Sequence, residues 1–285
     1  MLVPEAIAAF KAHLKSKERS PETIRGYNQL LQDFNRYLES ELNGQVYLEE
    51  VELAHLEGYL VYRKEQGDLP ISRNRALYIL RSFYSFLYKR DLVERDISQK
   101  LEPIKVQSKE RLHLVAEEVE QLLAAIDRPL IKVIATTLAY TGLRVTELCT
   151  LTLDTVDLEH GFLHVTGKGN KQRIVPINST LQAVLQDYIE DIRPQVDSDR
   201  FFATKKTGKI SPAYINRCLE ETTEKLGWKK HVTAHILRHS FASELVRKQA
   251  PLPAVQNLLG HSDLRVTSRY IHQNLNDLKD AVDLI

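Results

Sequence analysis

The segment Glu102-Pro-Ile-Lys-Val-Gln-Ser-Lys-Glu-Arg111 constrains this chain more than any other stretch. It is polar, contains a proline and follows neither a helical nor a strand period, which is the pattern of a linker. The chain on either side must therefore bury its own apolar residues. A length of 285 residues leaves room for two domains of ordinary size. The expected division is a domain over residues 1–102, a linker over 103–111 and a second domain over 112–285.

Before the linker the apolar spacing is helical. Ile7, Phe10 and Leu14 share one face. Ser20-Pro21-Glu22 reads as a helix start: Ser20 caps, Pro21 has its φ preset, and Glu22 meets the positive end. The helix that follows carries Ile24, Tyr27, Leu31, Phe34, Tyr37 and Leu38. Further helices are expected over residues 53–66 and from Pro70, and a short one over 91–98 closes the bundle. Aromatic residues at this spacing read as core. After the linker, helices are expected over 116–125, over 129–140 and from Arg144. The period then changes to two, in Val156-Asp-Leu158, Gly161-Phe-Leu-His-Val165 and Ile174-Val-Pro-Ile177. Between the last two lies Thr166-Gly-Lys-Gly-Asn-Lys-Gln-Arg173, which predicts a β-hairpin with a cationic tip. Helices return over 179–192, 211–226, 234–247 and 252–258, with two more beyond residue 263. The expected fold is mainly α with a small antiparallel β-sheet.

A hydrophobic content of 43% with 27% charged residues is that of a soluble globular protein. There is no apolar run near the ~20 residues that span a bilayer. The N-terminus lacks a basic segment followed by an apolar one, so a cytoplasmic protein is expected. Cys149 and Cys218 suit a reducing compartment and define neither a disulfide framework nor a zinc site. The net charge of +1 is not strongly basic. Basic residues nevertheless cluster over 63–90, 168–173 and 200–230. Such patches can neutralise phosphates. Solvated helix faces are the alternative reading of each patch.

Five of the ten histidines, His231, His235, His239, His261 and His272, fall near the C-terminus. Their neighbours are arginines and Tyr270. Arginine binds phosphate through a bidentate fork, and tyrosine can be a covalent nucleophile. The combination points to chemistry on a phosphodiester. That needs an in-line nucleophile, cations for the non-bridging oxygens, an acid for the leaving oxygen and a base for the nucleophile. No compact carboxylate cluster stands out to hold Mg²⁺, so the cationic work falls to arginine. His235 and His239, at i and i+4, could suggest zinc. The residues between them lack a metalloprotease glutamate, and an arginine beside a metal is unfavourable.

Four motifs carry a family resemblance. Ala139-Tyr-Thr-Gly-Leu-Arg-Val-Thr-Glu-Leu148 resembles the first conserved box of the tyrosine site-specific recombinases, the Xer and phage-integrase family. Thr233-Ala-His-Ile-Leu-Arg-His-Ser-Phe-Ala-Ser243 resembles the second, with its His-x-x-Arg-His core. Leu258-Leu-Gly-His261, followed nine residues later by Tyr270, resembles the third. Gly167-Lys-Gly-Asn-Lys-Gln-Arg173 resembles the β-hairpin lysine motif, and the N-terminal helices look like the core-binding, SAM-like domain.

The resemblance implies an enzyme that cleaves and rejoins duplex DNA through a 3′-phosphotyrosyl intermediate and a Holliday junction, resolving dimers or cointegrates. The alternatives are a small integrase or transposon recombinase and a catalytically silent architectural protein. The two domains would form a C-shaped clamp on DNA. Tyr270 would be the nucleophile. Arg144 and Arg238 would clamp the phosphate, with His261 as a third donor. Lys168 would be the general acid, with Lys171 as its competitor, and His235 would take the tyrosine proton. Glu147 and His239 would support the site from behind, although a plain helix-start carboxylate explains Glu147 equally well. DNA contacts are expected from Arg73, Arg75, Arg81, Lys171, Arg173 and Arg217. No metal, ATP or other cofactor is implied. The implied partners are inverted half-sites, a homotetramer joined through a C-terminal helix bearing Leu275, Leu278, Val282 and Ile285, and accessory DNA-binding proteins in some settings.

Overall fold

The computed structural model describes residues 1–106, 112–167 and 171–260. Its contacts divide into two compact units, Met1–Lys109 and Glu110–Ile285.

The first unit is a bundle of α1 (Val3–Ser16), α2 (Pro21–Glu41), α3 (Leu53–Glu65) and α4 (Pro70–Tyr88). The start of α2 follows from its sequence: Thr23 N donates to Ser20 Oγ at 3.3 Å, with Pro21 in the first turn. Phe10, Phe34, Tyr59, Leu77, Phe83 and Tyr84 are buried between the helices. Phe10 and Phe83 pack tilted, 5.5 Å between centroids. Each such side chain contributes about 2–3 kcal/mol by leaving water. The short helix expected over 91–98 does not form. Asp91 takes φ 54°, which ends the helical run, and only a 3₁₀ turn, Ile97–Lys100, follows. Asp96 caps that turn by accepting from Ser98 N at 3.1 Å. The chain is then tied back to α4. Arg81 Nη2 donates to the Leu101 carbonyl, and Asn74 exchanges two hydrogen bonds with the Ile104 backbone, each 2.8 Å. Ile104, inside the segment read as linker, is thus held to the bundle.

The second unit contains α5 (Ala116–Ala125), α6 (Pro129–Thr141), α7 (Val145–Thr150), β1 (Val156–Asp157), β2 (Phe162–Thr166), β3 (Gln172–Pro176), α8 (Ser179–Asp187), α9 (Pro212–Lys225), α10 (Ala234–Arg247) and α11 (Leu252–Leu259). The apolar helix α6 is its centre, with Ile131, Ile134, Ala135 and Leu138 buried and α10 packed against it. The helix expected over 179–192 is α8 continued by a π-helical turn, Tyr188–Ile192. Within that turn the buried Tyr188 hydroxyl donates to the Phe201 carbonyl at 3.0 Å.

The three strands form one antiparallel sheet in the order β1-β2-β3. Leu163 pairs with Val175, and Val165 with Arg173. Leu163, Val165 and Val175 are buried, while Ile174 is 57% exposed. Side chains alternate between the faces of a strand, so Arg173 shares the inward face with Val175. Among the described residues no helix is long and apolar enough to cross a membrane.

Candidate active site

The site is built at the start of α7. Arg144 is its N-cap, and Glu147, three residues on, bends back to accept the Arg144 backbone N–H at 2.8 Å. That back-bond turns the Glu147 carboxylate inward, where it is 4% exposed. Three guanidinium groups surround it. Arg144 Nη1 lies 2.8 Å from Oε1. Arg173 forms a two-pronged pair, Nη1 to Oε1 at 3.0 Å and Nη2 to Oε2 at 2.8 Å. Arg238 Nη1 stands 3.9 Å from Oε2.

Among the described residues, one carboxylate facing three guanidinium groups leaves a surplus of positive charge. Burial pushes the Glu147 carboxyl up, but the hydrogen bonds from Arg173 and Arg144 outweigh burial and hold it below the ordinary glutamate range. Glu147 is therefore ionised at neutral pH, and the surplus is available to an anion.

The same three arginines also cap α11. Arg173 Nε donates to the Leu258 carbonyl at 3.0 Å, Arg238 Nη2 to Leu259 at 2.5 Å and Arg144 Nη2 to Gly260 at 3.4 Å. The last carbonyls of a helix have no helical partner and form its negative end, so cations suit them. Gly260 takes φ +61°, the left-handed turn that ends α11 and aims its carbonyl at Arg144. Arg238 further donates to the carbonyl of Gly142, which ends α6, at 2.6 Å. Side-chain exposure separates the three: Arg238 is 3% exposed, Arg173 12% and Arg144 37%. Arg144 is the most exposed of the three guanidinium groups.

The structure brings Arg144, Glu147, Arg173 and Arg238 together from α7, β3 and α10. Gly167 N donates to the Lys171 carbonyl at 2.8 Å across the hairpin turn, and a side chain on Gly167 would meet Glu147 Oε1 at 3.4 Å. Lys171 is exposed. On α10, His235 and His239 share a hydrogen bond, Nε2 to Nε2 at 2.8 Å, with His235 exposed and His239 buried. Arg217 is on α9, 5.3 Å above the Tyr214 ring. Arg73, Arg75 and Arg81 are on α4 in the other unit. Lys168, His261, Tyr270 and the expected C-terminal helix lie outside the described residues. Burial raises the Cys149 thiol to about 11, which leaves it protonated and a poor nucleophile at neutral pH.

Two of the residues expected to contact DNA make bonds inside their own units. Arg173 is turned inward and spends its Nε, Nη1 and Nη2 on Glu147 and Leu258. Arg81 spends Nη2 on backbone carbonyls of its own unit, Gln99 at 3.4 Å and Leu101. For Arg173 the signal was present in the strand alternation, which puts it two residues from the core position Val175. Sequence reasoning also did not find the carbonyls of residues 258–260, because backbone atoms carry no residue-type signal.

The model of the phage integrase family matches residues 113–277, and that of the phage integrase N-terminal SAM-like domain matches residues 7–91. The chain belongs to the phage integrase family of tyrosine recombinases. It is 30% identical to tyrosine recombinase XerC of Pelobacter propionicus, covering 98% of this chain and 94% of that one. It is 33% identical to XerC of Halalkalibacterium halodurans, covering 96% and 95%. Among solved structures, the XerH site-specific recombinase bound to its difH substrate matches with TM-score 0.73 and 25% identity over 94% of this chain and 81% of that one. The Tn1549 transposon integrase in complex with a circular intermediate DNA matches in fold, with TM-score 0.81 and 18% identity over the whole of both chains.

Proposed function

We propose that this enzyme is a site-specific recombinase that breaks and rejoins duplex DNA without metal or ATP. The observation that carries the reading is the buried Glu147 ringed by Arg144, Arg173 and Arg238, an electropositive site of the kind a phosphodiester requires. In this reading the phosphate enters beside Arg144, the most exposed of the three. Tyr270 Oη bonds to phosphorus as the bond to the 5′ oxygen breaks. Lys168 protonates the departing 5′ oxygen to a hydroxyl, and His235 accepts the tyrosine proton. Arg238 joins Arg144 on the non-bridging oxygens, and His261 adds a third donor to them. Attack by a 5′ hydroxyl on the phosphotyrosine reverses these steps and rejoins the strand, so bond energy is conserved. Exchange of strands in pairs takes the reaction through a Holliday junction. The apolar spacing of Leu275, Leu278, Val282 and Ile285 supports subunit packing into a tetramer on paired half-sites.

The test is covalent capture. Wild type incubated in EDTA with a pool of nicked duplexes carrying randomised inverted repeats should yield a detergent-resistant protein–DNA adduct. Tyr270→Phe should yield none. An adduct formed by Tyr270→Phe removes the nucleophile assignment, and failure of wild type to form any removes the reading.

A further inference from the structure

We infer that Arg173 is a positioning residue, which joins the hairpin to Glu147 and to the end of α11 and so holds the phosphate-binding arginines in register with that helix end. The inference rests on the recombinase reading for its effect on catalysis, but its structural core does not. Arg173 is 12% exposed. Its guanidinium grips both oxygens of Glu147, the carboxylate that also accepts from Arg144. Its Nε fixes the Leu258 carbonyl, one residue before the Leu259 carbonyl that holds Arg238. It also lies against Gly260, where an added side chain would meet Nη1 at 3.0 Å and Cδ and Cζ at 3.2 Å. One side chain on β3 thus touches α7 through Glu147 and α11 through Leu258 and Gly260, the same carboxylate and helix end that Arg238 meets from α10.

The planar fork is what makes the link. Lysine carries the same charge, but a single ammonium cannot match both carboxylate oxygens and a carbonyl in fixed geometry. All three nitrogens of this guanidinium are engaged inside the protein, and the side chain is only 12% exposed. Arg173 therefore acts on the reaction through other groups and not by touching DNA.

Arg173→Ala and Arg173→Lys separate the two roles. Three quantities are measured on the full chain: hydrogen exchange over residues 252–260 without DNA, the salt dependence of duplex binding, and the adduct-forming rate at saturating nicked duplex. Both variants should exchange faster over 252–260, and both should keep the wild-type salt slope. Cleavage should fall about 100-fold for alanine, the scale of a displaced catalytic group, and roughly tenfold for lysine. A salt slope reduced by about one, as loss of a phosphate contact would give, overturns the proposal. So does wild-type cleavage by Arg173→Lys, or unchanged exchange in both variants. If alanine prevents folding, the lysine variant alone decides. Failure of wild type to form an adduct removes the recombinase reading only, because exchange is read without DNA.

Discussion

Glu147 shows how one side chain serves two functions that look like alternatives in a linear sequence. It caps the start of α7 through the Arg144 backbone N–H, and it is the shared counter-ion of three arginines. Removing one partner of a buried ionic group leaves the others uncompensated, which costs about 3–5 kcal/mol. Glu147→Gln should therefore be strongly destabilised at pH 7 in denaturant unfolding. The sign with pH follows from the lowered carboxyl. A depressed folded pKa adds stability that is present above the unfolded glutamate value of about 4.3 and is lost as pH falls through the folded value. The gap between wild type and Glu147→Gln should narrow below that pH. A gap that stays constant down to the acid transition would show that the ionised form is not what holds the site. The role of Glu147 was half legible from sequence: its place three residues into a helix was readable, but its arginine partners, Arg173 26 residues downstream and Arg238 91 residues downstream, were not.

At the scale of elements, α11 is the piece on which the site converges. It is short, Leu252–Leu259, and its final carbonyls are held by side chains from α7, β3 and α10. Gly260 is required here for two separable reasons, its φ of +61° and the guanidinium lying against it. Gly227 isolates the first reason, since it has φ +69° with nothing within 4 Å of an added side chain. Gly227→Ala should cost about 1–2 kcal/mol, the penalty of a left-handed alanine. Gly260→Ala should cost more in thermal unfolding and should also slow cleavage. Equal losses in the two variants would mean that the contact with Arg173 adds nothing. The helices and the hairpin themselves were legible because their signals are local, in caps, spacing and turn residues. The 91–98 segment departs from its helical reading because a helix-compatible composition does not reveal a left-handed residue such as Asp91.

At the scale of the whole chain, the segment after α4 matters as much as either unit. Arg81 and Asn74 pin residues 101–104 to α4, so the contacts of the first unit extend into the segment whose composition reads as linker. Loss of both Asn74 bonds, at about 1 kcal/mol each, should raise the opened population roughly 30-fold. Asn74→Ala should accordingly be cut faster by trypsin after Lys105. Cutting after Lys100 should change little, since Leu101 remains buried and its carbonyl bound. Equal acceleration at both sites would indicate general loosening of the bundle instead of release of this clip. The amino-acid sequence by itself determined the helical periods, the hairpin, the break between two domains and the motifs that mark the family. All of these rest on residues near one another in the chain. The tertiary structure alone decided which cations are spent inside the protein and which stay exposed. Arginine looks the same in a sequence whether it faces water or a buried carboxylate. Only folding brings Arg144, Arg173 and Arg238 around Glu147 and the end of α11, and a charge is held inside only where such partners meet it.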